Sequence, residues 1–504
     1  MKFGYFCNTT NWNHKPYDKL LDEARDIITY CDQNNWNSIW FTEHHFNHEG
    51  MESCSNPLMM GTDAAARTKN IRIGQAANII TFHNPIRLAE DIATLDQLSK
   101  GRVDVGVGRG IYGREAIHMN VEADLKDQAK NFRLFEETLT ILKKAWTQKF
   151  FSHKGEFYTY PSPNFVWQHD MSPPSEEFMD IKNNTLKKIS IVPQPYQKPH
   201  PPIHQVVDGI RSIEWAAKNG INIIMWIPPV KALKIKFEAY KNARSEAEKR
   251  NVSLGEGVTL VRDMFVADSM EEAKEKAGEH MVNYMRWVCH WRGLGNHMNP
   301  GEELPVTKGK LDLLSYDFLH KRNMLFGTPE YVIDKIKELK SELNLQNLQV
   351  WSNFPGVKHE DCMKSIKMFT EKVMPHFKDD FNPEVGFLPR AGIRTSKTHF
   401  EFTPRPGRLG IREMSPMVNI IYTTDQQNRM VTRRMHYMMG TRFENGAYLN
   451  LWYNRWFERL DNTFSFRIYI TGHLPAITLK ECRNILFKYK SRRTKRAKPT
   501  FKCI

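Results

Sequence analysis

Through the first 380 residues, short apolar and β-branched runs alternate with longer stretches in which apolar side chains recur at helical spacing. The runs KFGYF, SIWFT, IRIGQAANII, VDVGVG, IHQVV, INIIMWI, VTLVRDMFVA and LQVWS read as eight strands. Between them, patterns such as DKLLDEARDIITYCDQ and RLAEDIATLDQLSK read as amphipathic helices. Repeated βα units imply a parallel sheet, and eight of them fit a (β/α)8 TIM barrel with insertions. Periodicity alone does not show closure, so a doubly wound open sheet is the rival. Two insertions stand out, about 150–202 and about 288–326, in the position of loops that cover the active end of a barrel. The last helical pattern stops around Met374-Pro375, and a Pro/Gly-spaced linker follows. Beyond it, VNIIYTTD and FSFRIYITG read as strands and ITLKECRNILFKYKSRR as a basic helix, a small α+β or partly disordered segment.

Charge sharpens that division. The chain of 504 residues carries a net +15, and residues 381–504 hold 23 Lys+Arg against 8 Asp+Glu, which is the whole of it. Residues 1–380 form a neutral body, and 381–504 a basic domain of unassigned role. The run SRRTKRAKP can attract an acidic surface, but no nucleic-acid motif accompanies it, so nucleic acid is not the expected partner. With 40% hydrophobic residues the chain is globular rather than disordered. Seven scattered cysteines without a CxxC pair suit a reducing compartment. No run reaches the roughly 18 apolar residues of a membrane span. The start turns polar too early for a secretory signal. These features lead to the expectation of a soluble cytoplasmic protein.

Candidate chemistry clusters at strand ends, which in a barrel face the active site. The second strand runs into Glu43-His44-His45, where a histidine beside a carboxylate suits proton transfer. Metal ligation is not expected, because adjacent side chains diverge and no third ligand is suitably spaced. The third strand ends in Ala76-Ala77, small enough to admit a flat ring. The fourth ends in Gly106-Val107-Gly108-Arg109-Gly110, where glycines around one Arg suit an anion. After the fifth comes Asp208-Gly209-Ile210-Arg211-Ser212, a helix entry able to offer amide N–H groups and the Ser212 hydroxyl to an anion.

In this order, the stretches MKFGYF, FTEHHF, HNPIRLAEDIATLDQLSKGRVDVGVGRGIYGRE, DGIRSIEWAAKNG and FGTPEYVIDKI resemble the bacterial luciferase-like flavin monooxygenases over about residues 1–377. The resemblance implies a barrel that takes up reduced FMN, reacts it with O2 through a flavin hydroperoxide, and oxygenates a small organic substrate of alkanal or hydrocarbon type. It implies His44 as the catalytic histidine with His45 beside it, and Arg109 as the phosphate anchor. Asp208, Gly209 and Ser212 would form the phosphate-binding helix entry, and Ala76 and Ala77 would pack on the isoalloxazine ring. A separate reductase would supply reduced flavin, and pairing as a homodimer or related heterodimer is expected by analogy. The light-emitting members carry a reactive cysteine where this chain has Gly108, and a hydroxyl residue where it has Gly209, so light emission is not inherited. Two other readings stay open: a deazaflavin-dependent oxidoreductase, and a non-catalytic flavin-binding protein whose basic tail contacts nucleic acid.

Overall fold

The computed structural model describes residues 1–169, 171–303, 313–380, 393–407, 410–425, 430–458, 463–473 and 485–489. The chain divides into two compact units, Met1–Phe377 and Lys378–Ile504.

The first unit is a closed barrel. Its strands are β1 (Lys2–Cys7), β2 (Ser38–Phe41), β3 (Arg72–Gln75), β4 (Val103–Gly108), β5 (Ile203–Val206), β6 (Asn222–Met225), β7 (Val258–Val266) and β8 (Asn347–Trp351). Each pairs in parallel with the next, and Lys2 pairs with Asn347 to close the ring. Closure, which periodicity left open, is therefore settled in favour of the (β/α)8 barrel. Besides β6, β7 serves two further neighbours: Thr259–Asp263 pair with β8, and Asp263–Val266 with a short strand, Met324–Gly327. The run IRIGQAANII is not one strand. It breaks at Ala76-Ala77, joined by a cis peptide bond, before Asn78–Ile79 rejoin β4.

Local signals account for the helices. The helix Pro85–Ser99 opens with Asn84, whose side chain accepts from the Ile86 and Arg87 amides, and with Pro85 in the first turn. It ends where Lys100 adopts a left-handed conformation ahead of Gly101. Leu88, Ala89, Ile92, Ala93 and Leu95 face the barrel wall at the expected spacing. Asp96, on the same face, accepts from the Gln197 amide and side chain at 2.8 Å each, tying down the end of the first insertion. Arg102 bonds the carbonyls of Ala65, Thr68 and Ile71, and Arg72 pairs with Asp104 at 2.7 Å. The DQLSKGR stretch thus works at the entry to β4, away from the strand ends where the candidate chemistry sits.

Inside the barrel, Trp40 crosses the interior and its ring meets that of His204 at 5.0 Å. With Ile224 and Val261 it forms an apolar layer beneath the mouth. That layer depends on bare backbone. A Cβ on Gly74 would collide with the Trp40 indole, and one on Gly106 with the Gln75 carbonyl. Gly106→Ala therefore loses about 1–3 kcal/mol of stability through overpacking, seen as a lower urea midpoint at unchanged slope.

The second unit is a consecutive antiparallel sheet of β9 (Ile393–Glu401), β10 (Ile411–Asp425), β11 (Met430–Phe443), β12 (Tyr448–Glu458), β13 (Thr463–His473) and β14 (Ile485–Tyr489). Glu444-Asn445-Gly446 turns β11 into β12, with Gly446 at φ +82°. The expected basic helix is corrected here. Its ILFKY portion is β14, paired with Phe464–Ile468, and the remainder lies outside the described residues. ILFKY, with its Ile and aromatics, has the composition of a strand once an edge is present to pair with. No described helix is long and apolar enough to cross a membrane.

Candidate active site

The C-terminal ends of the barrel strands surround a cavity of about 310 Å³. His44, Ala76, Ala77, Arg109, Asp208, Gly209 and Ser212 all line it, although they lie up to 168 positions apart in sequence. His45 does not. Its ring turns to Glu43, with Nε2 3.1 Å from Oε1.

Glu43 is a buried organiser behind the mouth. Its Oε2 accepts from the Ile79 amide at 2.7 Å, and its Oε1 from His83 Nε2 at 2.7 Å and from His45. Burial pushes its pKa up, but the donors from His45, His83 and Ile79 outweigh that and hold it below the usual carboxylate range. Burial likewise works against the His83 imidazolium, and the Glu43 carboxylate overrides it, raising the His83 pKa. Glu43 thus contributes stability that is present above its unfolded pKa and lost as pH falls through its lower folded value. The His83 contribution is complete below its unfolded pKa and lost as pH rises through its folded one. Glu43→Gln costs about 2 kcal/mol at neutral pH, and the difference from wild type shrinks on acidification, as measured by chemical denaturation across the acid range.

His44 faces the cavity and is the centre of a second buried network. Its Nδ1 lies 3.3 Å from Glu52 Oε2 and 3.5 Å from Glu115 Oε1, as close ion pairs without hydrogen-bond alignment. Desolvation opposes the imidazolium, but Glu52, Glu115 and Glu43 together raise its pKa to about 9. Glu52 is itself pushed up by burial, against the pull of His44 and of the Tyr284 hydroxyl, which donates to Oε1 at 2.7 Å. Asn8 donates to the Tyr284 hydroxyl at 3.1 Å and accepts from Thr42 at 3.0 Å. Glu115 accepts from the His45 amide at 2.8 Å, so the EHH segment is clamped by carboxylates on both sides.

The opposite character appears around Arg109. Its Nη1 reaches only the amide oxygens of Asn131 at 3.3 Å and Gln128 at 3.5 Å. Its guanidinium lies 5.4 Å from the Phe132 ring centroid, and that of Arg211 lies 5.7 Å from the same centroid. Neither arginine forms an ion pair among the described residues. Burial, then the charge of Arg211, lowers the Arg109 pKa. Two guanidinium groups without a counter-charge, beside the N-terminus of the helix Ile210–Lys218, make a strong anion site. Gly209 caps that helix without a side-chain bond, and the space a Cβ would take there is open. Asp208 does not oppose an anion, because its carboxylate pairs with Arg292 and its carbonyl accepts from Lys236.

Several of these residues escape sequence reasoning. Glu52 lies in an irregular loop, and Tyr284 and Arg292 on the helix Glu279–Arg292. Nothing in their spacing marks them. Arg211 and Glu115 stand inside DGIRSIEWAAKNG and GIYGRE, but an exposed helix Arg and a Glu after a glycine turn look ordinary. The cavity lining is partly aromatic: Trp226 lies 6.1 Å from Tyr284, and Tyr112 packs against Trp287 at 5.3 Å. Among the described residues no three His, Cys, Asp or Glu side chains are grouped to hold a metal ion.

Comparison with known proteins gives a consistent picture. The sequence model of the family described as luciferase-like monooxygenase matches residues 1–344. The chain is 26% identical over 384 residues to the oxygenase component of flavin-dependent trigonelline monooxygenase from Acinetobacter baylyi, covering 75% of this chain and 96% of that one. It is 23% identical over 390 residues to an alkanal monooxygenase alpha chain from Photorhabdus laumondii, covering 75% and 98%. Among solved structures it matches the oxygenating constituent of 3,6-diketocamphane monooxygenase from Pseudomonas putida, in complex with FMN. There the TM-score is 0.59 and the identity 20%, over 74% of this chain and 98% of that one.

Proposed function

The chain belongs to the luciferase-like monooxygenase family, and from that premise we propose that it binds reduced FMN in the barrel mouth and uses O2 to oxygenate a small organic substrate. The observation that carries the reading is the polarity of the cavity at the barrel mouth: the unpaired Arg109 guanidinium and an open helix N-terminus on one wall, with Arg211 close by, and His44 beside buried Glu52 on another.

The residues fit the cofactor. Arg109 and Arg211, with the amides entering the helix Ile210–Lys218 and the Ser212 hydroxyl, would hold the phosphate. The open space at Gly209 leaves the backbone free to approach it. Ala76 and Ala77, small and at the broken end of β3, would lie against the ring. When bound, reduced FMN supplies the activation of O2 and the delivery of one oxygen atom. The protein's part is to position it and keep water away, which the aromatic lining of Trp226, Tyr284 and Tyr112 serves. His44, protonated at neutral pH, holds a proton at the edge of the cavity, and the charge of Glu52 keeps it there, as a positioning residue. His45 is assigned to the Glu43 cluster rather than to the reaction.

Aromatic and aliphatic side chains in the lining favour an apolar substrate of alkanal or hydrocarbon type. Residues 1–380 contain no nicotinamide fingerprint, so a separate reductase supplies reduced FMN. The alpha-chain naming of the Photorhabdus relative supports pairing with a like or related chain. The test is an anaerobic titration with reduced FMN followed by rapid mixing with air-saturated buffer. Saturable binding and reoxidation slower than that of free FMN are expected. Absence of binding, or reoxidation at the free rate, ends the proposal.

A further inference from the structure

A separate pocket of about 190 Å³ lies on the outer side of β7, between the helices Val230–Glu248 and Pro329–Leu343 and the segment 320–325. It shares no lining residue with the cavity in the barrel mouth. Alternation along β7 turns Asp263 toward the mouth, where its Oδ1 accepts from Trp226 Nε1 at 3.0 Å, and turns Arg262 outward into this pocket.

Arg262 is unusual for a residue outside an active site. It is 2% exposed, and its guanidinium bonds only to main-chain carbonyls, of Pro228 at 2.6 Å and Val261 at 3.3 Å. It forms no ion pair among the described residues, although a buried charge is ordinarily paired. All the charged lining residues but Glu338 carry the same sign, although Arg322 is paired with Glu302 at 3.1 Å. Lys231 and Lys321 line the pocket, are exposed, and form no ion pair among the described residues. The acidic side chain in the lining, Glu338, is taken by Lys335 at 2.9 Å.

Backbone and amide groups complete the set. The 19-residue helix Val230–Glu248 starts at Pro229 with no side-chain cap and no acidic residue in its first turn. Its first N–H groups have no intrahelical acceptor, and its opening residues Pro229, Val230 and Lys231 line the pocket. Asn323, 4% exposed and also in the lining, has both amide atoms without a partner. A buried amide left unbonded is costly, and a ligand rich in acceptor oxygens would satisfy its N–H2 together with the remaining Arg262 donors and the helix amides.

We propose that this pocket binds a phosphate-type oxyanion, either free phosphate or the phosphoryl end of a phosphomonoester. The site is independent of the one assigned to FMN. The full-length Arg109→Ala protein, in which the mouth competes about a hundredfold less for phosphate, is titrated calorimetrically with inorganic phosphate and, in parallel, with glycerol phosphate. Saturable binding of one equivalent is expected. The double variant Lys231→Glu/Lys321→Glu, which changes exposed side chains, weakens it at least about tenfold, and Asn323→Leu weakens it while leaving the two lysines in place. Tighter binding of the ester identifies a phosphomonoester site, and equal or tighter binding of phosphate a free-phosphate site. No saturable binding, or binding that the lysine reversals leave unchanged, overturns the proposal.

Discussion

Arg109→Ala weakens binding of reduced FMN about a hundredfold, equivalent to about 2.7 kcal/mol, with little change in the stability of the fold. The two halves of that expectation have one cause. Arg109 forms no ion pair among the described residues to leave a carboxylate stranded, and the charge that acts on it is the like charge of Arg211. Removing it relieves repulsion in the free protein and removes attraction in the complex. Most buried arginines behave differently, because their loss uncovers a partner. Arg109→Lys keeps the charge but not the planar fork, so it falls between the two, about tenfold weaker than wild type. Anaerobic fluorescence titration gives the affinities and chemical denaturation the stabilities. Equal affinity in wild type and Arg109→Ala, with both folded, would remove Arg109 from the phosphate site.

The second large effect is at His44. His44→Ala lowers turnover by about 10²- to 10⁴-fold, the range of a lost general acid or base. It also destabilises the fold by about 3–5 kcal/mol, because Glu52 is left buried without its counter-charge. The pH profile separates chemistry from folding. The folded-state pKa of His44, about 9, is above the unfolded value of 6.5. Its charged form therefore stabilises the fold fully below 6.5, and that stabilisation is lost as pH rises through about 9. If the proton on His44 is the one used, turnover with saturating reduced FMN falls across the same alkaline range. Glu52→Gln removes the largest of the attractions on His44 and moves that limb to lower pH. A merely structural Glu52 would lower stability without shifting the limb, so the direction of the shift decides.

The resemblance rested on two kinds of residue that the structure separates. DQLSKGR was among its most specific stretches, yet Asp96 holds Gln197, and Arg102 bonds carbonyls below the barrel mouth. The motif identifies the architecture and touches no reacting group. The EHH segment mixes the two roles within three positions: Glu43 and His45 belong to a buried cluster with His83, and His44 alone opens on the cavity. Strand alternation predicts that adjacent histidines diverge, but it does not say which one enters the mouth.

The sequence by itself determined the succession of βα units, the neutral body and basic tail, and the strand-end positions that carry His44, Ala76, Ala77, Arg109, Asp208, Gly209 and Ser212. Those signals are local, because periodicity, capping residues and glycine punctuation act within a few positions of chain. Only the tertiary structure decided ring closure, the capture of ILFKY as a strand, and the partners that tune the site. Glu52 and Tyr284 are 232 positions apart, as the barrel is what brings them together beneath His44. Arg109 and Arg211 come together beside Phe132 for the same reason. The charge state of a buried side chain depends on which groups replace its water, and those groups come from strands and helices distant in sequence.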